Sequence, residues 1–109
     1  MSWLVRGDDV LAAAEVAVTR RLRAKGLMGR EDLEGVMVLR PCRQVHTFGM
    51  RFPIDVAFCD SEGIVLRTVS LVPWRVSPYV HKAAFAIEAH AGAFERWQLR
   101  AGDRVELRA

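Results

Sequence analysis

The chain has 109 residues, 51% of them hydrophobic and 27% charged, and a formal net charge of +3. That length suits one domain with one core, and the composition excludes a natively disordered chain. All but two of the sixteen cations are Arg, a mildly basic balance that a coding bias toward Arg explains without an anionic partner.

Leu4-Val5, then Gly7-Asp8-Asp9, then the run from Val10 read as strand, turn and strand. The opening residues lack the basic-then-apolar pattern of a signal peptide. No apolar stretch is long enough to span a bilayer, so a cytoplasmic location is expected. Thr19, followed by Arg20-Arg21-Leu22-Arg23-Ala24-Lys25 and Gly26, reads as a short helix. Thr19 can cap its start, the cations suit its negative end, and Gly26 can close it in a left-handed conformation. On this reading the Arg cluster is a solvated helix face, and nucleic acid is not an expected partner.

Beyond the helix the apolar period switches to two. Val36-Met37-Val38-Leu39 is a short strand closed by Arg40-Pro41. In Pro53 to Cys59, Ile54, Val56 and Phe58 fall on one face and Asp55, Ala57 and Cys59 on the other. Asp60-Ser61-Glu62-Gly63 turns the chain into a returning strand from Ile64 to Val72, giving the best-marked hairpin. Pro73 and Pro78 bracket an irregular stretch with Trp74 and Arg75. Ala83 to Glu88 reads as a strand, Ala93 to Leu99 as a helical turn or two, and Arg104 to Leu107 as a last strand. The fold class is α+β: a single domain, residues 1–109, with two short helices. Its twisted, mostly antiparallel sheet is expected to curl toward a partly open barrel.

Common catalytic signatures are absent: no Gly-rich phosphate loop, no two-histidine zinc helix and no serine elbow. No cofactor is expected. Cys42 and His46 stand four apart, one loose pair where a zinc site needs two tight ones, so no metal is expected either. Cys42 and Cys59 are expected to be unpaired thiols. The segment from His46 to Asp55 is richer, holding an imidazole, a guanidinium, a carboxylate and large apolar groups within ten residues. Read as extended, it places His46, Phe48 and Met50 on one face and Thr47, Gly49 and Arg51 on the other. Gly49 would then leave room for a ligand beside the backbone, and Arg51 and Asp55 could share a face.

Gly26-Leu27-Met28 with Arg30 and Leu33, the His46 to Asp55 segment, Ile87-Glu88, Ala91-Gly92 and Gly102-Asp103 occur in an order and spacing that resemble the domain of unknown function 192 family. The resemblance runs from about residue 16 to 107. It implies twisted strands with short helices and no assigned reaction, and it singles out Arg30, Met50, Arg51, Asp55 and Glu88 as candidate site residues. Together with His46 and Trp74 they suggest a non-catalytic binding module for a small polar ligand such as a saccharide. Met50, Arg51, Asp55 and Trp74 would line its cleft. Two rival readings are a hydrolase-like enzyme using Asp55 or Glu88 as base with His46 as acid, and a polyanion binder using Arg20, Arg21, Arg23 and Lys25.

Overall fold

In the computed structural model, which describes residues 2–109, Gly, Pro and Asp turns divide the chain into seven strands and two short helices. Strands β1 (Ser2–Arg6) and β2 (Asp9–Ala17) form a hairpin about Gly7-Asp8, with Gly7 at φ 60° as a two-residue turn requires. Helix α1 (Arg20–Lys25) precedes β3 (Val36–Leu39). Then come the hairpin of β4 (Ile54–Cys59) and β5 (Val65–Leu71), β6 (Phe85–His90), α2 (Ala93–Trp97) and β7 (Glu106–Arg108).

The strands make one sheet in the order β5-β4-β6-β3-β2-β1-β7. β2 and β3 run parallel, while the other neighbours are antiparallel. The sheet curls until its two edges meet at one end, where Ile64 bridges Arg104. There the Val65 N–H donates to the Asp103 carbonyl at 2.8 Å, and the Val105 N–H donates to Gly63 at 2.9 Å. Gly63 permits that approach: at φ 86°, a Cβ would overlap the Val105 carbonyl oxygen. The result is a half-barrel, the curled sheet that the strand pattern implied.

All six residues of β4 are buried, because apolar side chains cover both faces of the central strands. Ala57 and Cys59 join Leu4, Val36, Val38, Ile87, Phe94 and Val105 inside the curl. Ile54, Val56 and Phe58 face the other way, against Leu27, Leu39, Val45, Met50 and Phe52. The alternation in β4 thus separates two apolar layers rather than core from solvent, and it corrects the expectation of one core.

Several details also differ from the sequence reading. β6 starts at Phe85 rather than Ala83, because the Ala83 N–H is taken by the Val80 carbonyl in a turn. Arg104 contributes only the bridge to Ile64, and the last strand starts at Glu106. Residues 47–53 of the His46–Asp55 segment are not a strand, which starts only at Ile54: the Met50 N–H closes a turn onto the Thr47 carbonyl at 3.2 Å.

Phe58 is fully buried beneath the outer layer. Phe58→Ala should therefore cost about 3–5 kcal/mol in urea unfolding. A cost under about 1 kcal/mol would contradict this two-layer packing.

Candidate functional site

The outer apolar layer is incomplete. Between α1 and the segment 41–50 lies a cleft of about 440 Å³, walled by Leu27, Met28, Val45, Phe48 and Met50 and rimmed by Arg20, Arg23, Lys25 and Arg43. Local chemistry fixes both banks. Thr19 Oγ1 accepts from the Leu22 N–H at 3.1 Å, and the Gly26 N–H donates to the Leu22 carbonyl at 2.9 Å. Gly26 closes the helix at φ 46°, ψ −124°, outside the left-handed helical region expected of it. Arg23 ties this bank to the sheet, its Nη1 donating to the carbonyls of Val18 and Arg40.

Glu88 lies in the floor of the cleft. It pairs with Met37 on β3 and with Val56 on β4, so its side chain emerges on the outer face of the two most protected strands. The residue is only 2% exposed. No hydrogen bond or ion pair to its carboxyl occurs among the described residues. Nor is any partnerless side-chain polar atom there sealed off completely, so the Glu88 oxygens look into the cleft. Burial pushes its carboxyl up to about 7, since the charged form loses water and gains no partner. Nearby Cys42 is half-buried, and its thiol, which donates to the Gln44 carbonyl at 3.3 Å, is pushed up by burial. It is a poor nucleophile. Both cysteines are free, and Cys59 lies buried within β4 with its thiol pushed up to about 12.

Beside the cleft stands an aromatic ladder. His46 stacks on Phe48 with centroids 4.9 Å apart, and Phe48 stacks on Trp74 at 6.0 Å. The buried Thr47 sets it in place. Its Oγ1 donates to the Val72 carbonyl and accepts from the Arg75 N–H, each at 2.8 Å. Its carbonyl accepts from the Trp74 N–H at 3.0 Å. Nothing in a lone Thr flanked by His and Phe signalled this role.

The sequence candidates divide between places. His46, Met50 and Glu88 line the same cleft, and Trp74 joins them through the ladder. Asp55, one residue before Val56, points to the opposite face. There its carboxylate accepts from Ser70 Oγ at 2.7 Å and from the N–H groups of Gly92 and Phe94 at 3.0 and 3.2 Å. It caps the start of α2, and it leaves the hydrolase alternative without that base. Arg51 is out on the surface, 64% exposed, with Glu31 at 3.7 Å, and shares no face with Asp55. Arg30 makes a two-point contact with Glu15 at 2.8 and 3.1 Å on the β2 side. That contact lowers the Glu15 carboxyl and raises the guanidinium. Gly49, at φ 74°, makes room for Met28 rather than for a ligand: a Cβ would lie 2.7 Å from Met28 Cγ. Met28 and the α1 cations Arg20, Arg23 and Lys25 line the cleft; from the sequence, Met28 entered only as part of the family pattern and the cations as a solvated helix face.

The family model of the domain of unknown function 192 (DUF192, Uncharacterized ACR) matches residues 3–107. A UPF0127 protein of Pyrococcus abyssi is 32% identical over 97 residues, spanning 84% of this chain and 83% of that one. A UPF0127 protein of Pyrococcus horikoshii is 30% identical over 89 residues, 77% of each chain. Among solved structures, a protein of unknown function from Novosphingobium aromaticivorans superposes with a TM-score of 0.83 at 23% identity, over 96% of this chain and 82% of that one. A Sinorhizobium meliloti chain put forward as a transcription regulator superposes at 0.81 and 23% identity, over 96% and 90%. Both share this fold. No helix among the described residues is long and apolar enough to cross a membrane.

The Glu88 environment has a sign that unfolding can read. With its carboxyl at about 7 in the fold and an ordinary value of 4.5, the folded chain keeps a proton that the unfolded chain has lost. Stability then falls as pH rises from the ordinary value through the folded one, by on the order of 3 kcal/mol in full. Glu88→Gln keeps the shape but cannot ionise, so it should gain on the parent as pH rises from about 5 to 8. Parallel pH profiles for the two proteins in urea unfolding would contradict this.

Proposed function

This chain belongs to the domain of unknown function 192 family, and we propose that it serves as a non-catalytic module binding a small polar ligand in the cleft beneath α1. The observation that carries this reading is Glu88: a buried carboxyl with no partner among the described residues, facing a cavity. A fold gains nothing by burying such a group unpaired, whereas a ligand hydroxyl or amine would supply the missing donor. The walls of Leu27, Met28, Met50 and Phe48 match the apolar body of such a ligand, and thioether side chains adapt to its shape. The rim cations Arg20, Arg23 and Arg43 suit an electronegative outer end. A polyhydroxylated molecule such as a saccharide meets all three demands.

The test is to titrate methyl-labelled protein with a panel of monosaccharides, polyols and primary amines, following the Met28 and Met50 methyl resonances. At least one hydroxyl- or amine-bearing compound should shift both methyls saturably, and Glu88→Leu, similar in volume, should abolish the shift. A panel that leaves both methyls unmoved, or shifts them equally in Glu88→Leu, would contradict the reading.

A further inference from the structure

Charge is not spread evenly over this molecule. Residues 18–30, 40–52 and 72–84 hold ten of the sixteen cations and none of the thirteen acids, and the remaining residues hold six cations and all the acids. The fold gathers these three segments. The first two are the banks of the cleft. The third is laced to the second: the Ser77 N–H donates to the Val45 carbonyl, the Thr47 N–H to Arg75, and the Val80 N–H to Arg43, at 2.8–2.9 Å. Two of the ten cations are paired, Arg30 with Glu15 and Arg51 with Glu31. The other eight have no carboxylate within ion-pair distance among the described residues.

Apolar surface interleaves with these cations. Phe48, Val72, Trp74, Val76 and Tyr79 are large exposed hydrophobics on the two laced segments. Trp74 is 64% exposed yet held at φ 66°, a backbone conformation costly for an aromatic residue. The Thr47 and Arg75 hydrogen bonds hold it there, so the loop keeps an indole in water at the cost of strain. A packing role would not ask for that.

We propose that this face binds single-stranded nucleic acid, with bases stacking on the Phe48–Trp74 ladder and phosphates meeting Arg43, Arg75 and the cations of α1. Flat rings offer a stacking surface that every base can use, and unpaired cations beside them track the backbone. A duplex keeps its bases inside and offers no ring face to the ladder. An acidic peptide would satisfy the cations and leave the ladder bare. The inference shares Phe48, Arg43 and α1 cations with the wall and rim of the cleft but makes no use of Glu88, and Trp74, outside the cleft lining, tests it separately.

The experiment measures anisotropy of fluorescein-labelled dT12 and rU12 at 50 and 200 mM salt, with intrinsic Trp fluorescence in parallel. A 12-base-pair duplex and a labelled 12-residue poly-glutamate serve as controls. Trp74→Gly is the main variant, since glycine accepts the positive φ and removes only the indole. Phe48→Ala is the second, and circular dichroism checks both folds. The single strands should bind saturably and quench Trp fluorescence. Affinity should fall with salt along a log–log slope of roughly −3, as about four phosphate contacts give. Trp74→Gly should weaken binding about ten-fold and remove most of the quenching. Unchanged affinity in both folded variants would overturn the proposal, as would duplex or poly-glutamate binding equal to that of the single strands.

Discussion

The pleat of β6 is the constraint from which the rest of the site follows. β6 lies between β3 and β4, all three covered on both faces, so each of its side chains must enter one of two apolar layers. Side-chain period in a strand is two; the register that sends Ile87 into the curl with Val38 and Ala57 therefore sends Glu88 outward with Met37 and Val56. A one-residue slip would exchange the two and bury the carboxyl in the closed interior. The cleft beneath α1 is where the outer layer opens to receive it.

The two buried acids of the central strands show what this placement means. Asp55 and Glu88 are almost equally shielded, yet Asp55 is provided with three donors and Glu88 with none among the described residues. Asp55 is thereby a structural group that joins β4 to β5 and to the start of α2. Glu88 lines the cleft and joins no such network. The banks above it are rigid for their own reasons: Thr19 and Gly26 close α1, and Thr47 and Ser77 bind the 43–47 segment to the Trp74 loop. On the proposed reading, a cleft pre-shaped in this way would lose little entropy on taking up a ligand.

Much of the fold was legible in the sequence because its signals are local. Period-two runs, the Gly7-Asp8 and Asp60–Gly63 turns, and the Thr19 cap each act within a few residues, and each produced the expected element. The site was less legible because its members meet through long-range packing. Alternation in β4 separates Asp55 from Ile54 but does not say that both faces are covered, so the two acids could not be assigned to opposite layers. The His46–Asp55 segment carries strand-like residues, but buried Thr47 pulls it into a turn by bonding to residues 72 and 75. Arg51 was thereby carried out to the surface, and Met28, not a ligand, filled the space above Gly49.

Glu88 is a buried carboxyl facing the cleft, with no partner among the described residues. The most direct test of this is the side-chain carboxyl carbon of Glu88, labelled with carbon-13 and followed by NMR across pH. The midpoint should lie near the value of about 7 that burial imposes. A midpoint at the ordinary carboxyl value of 4.5 would show a solvated or partnered group and contradict it.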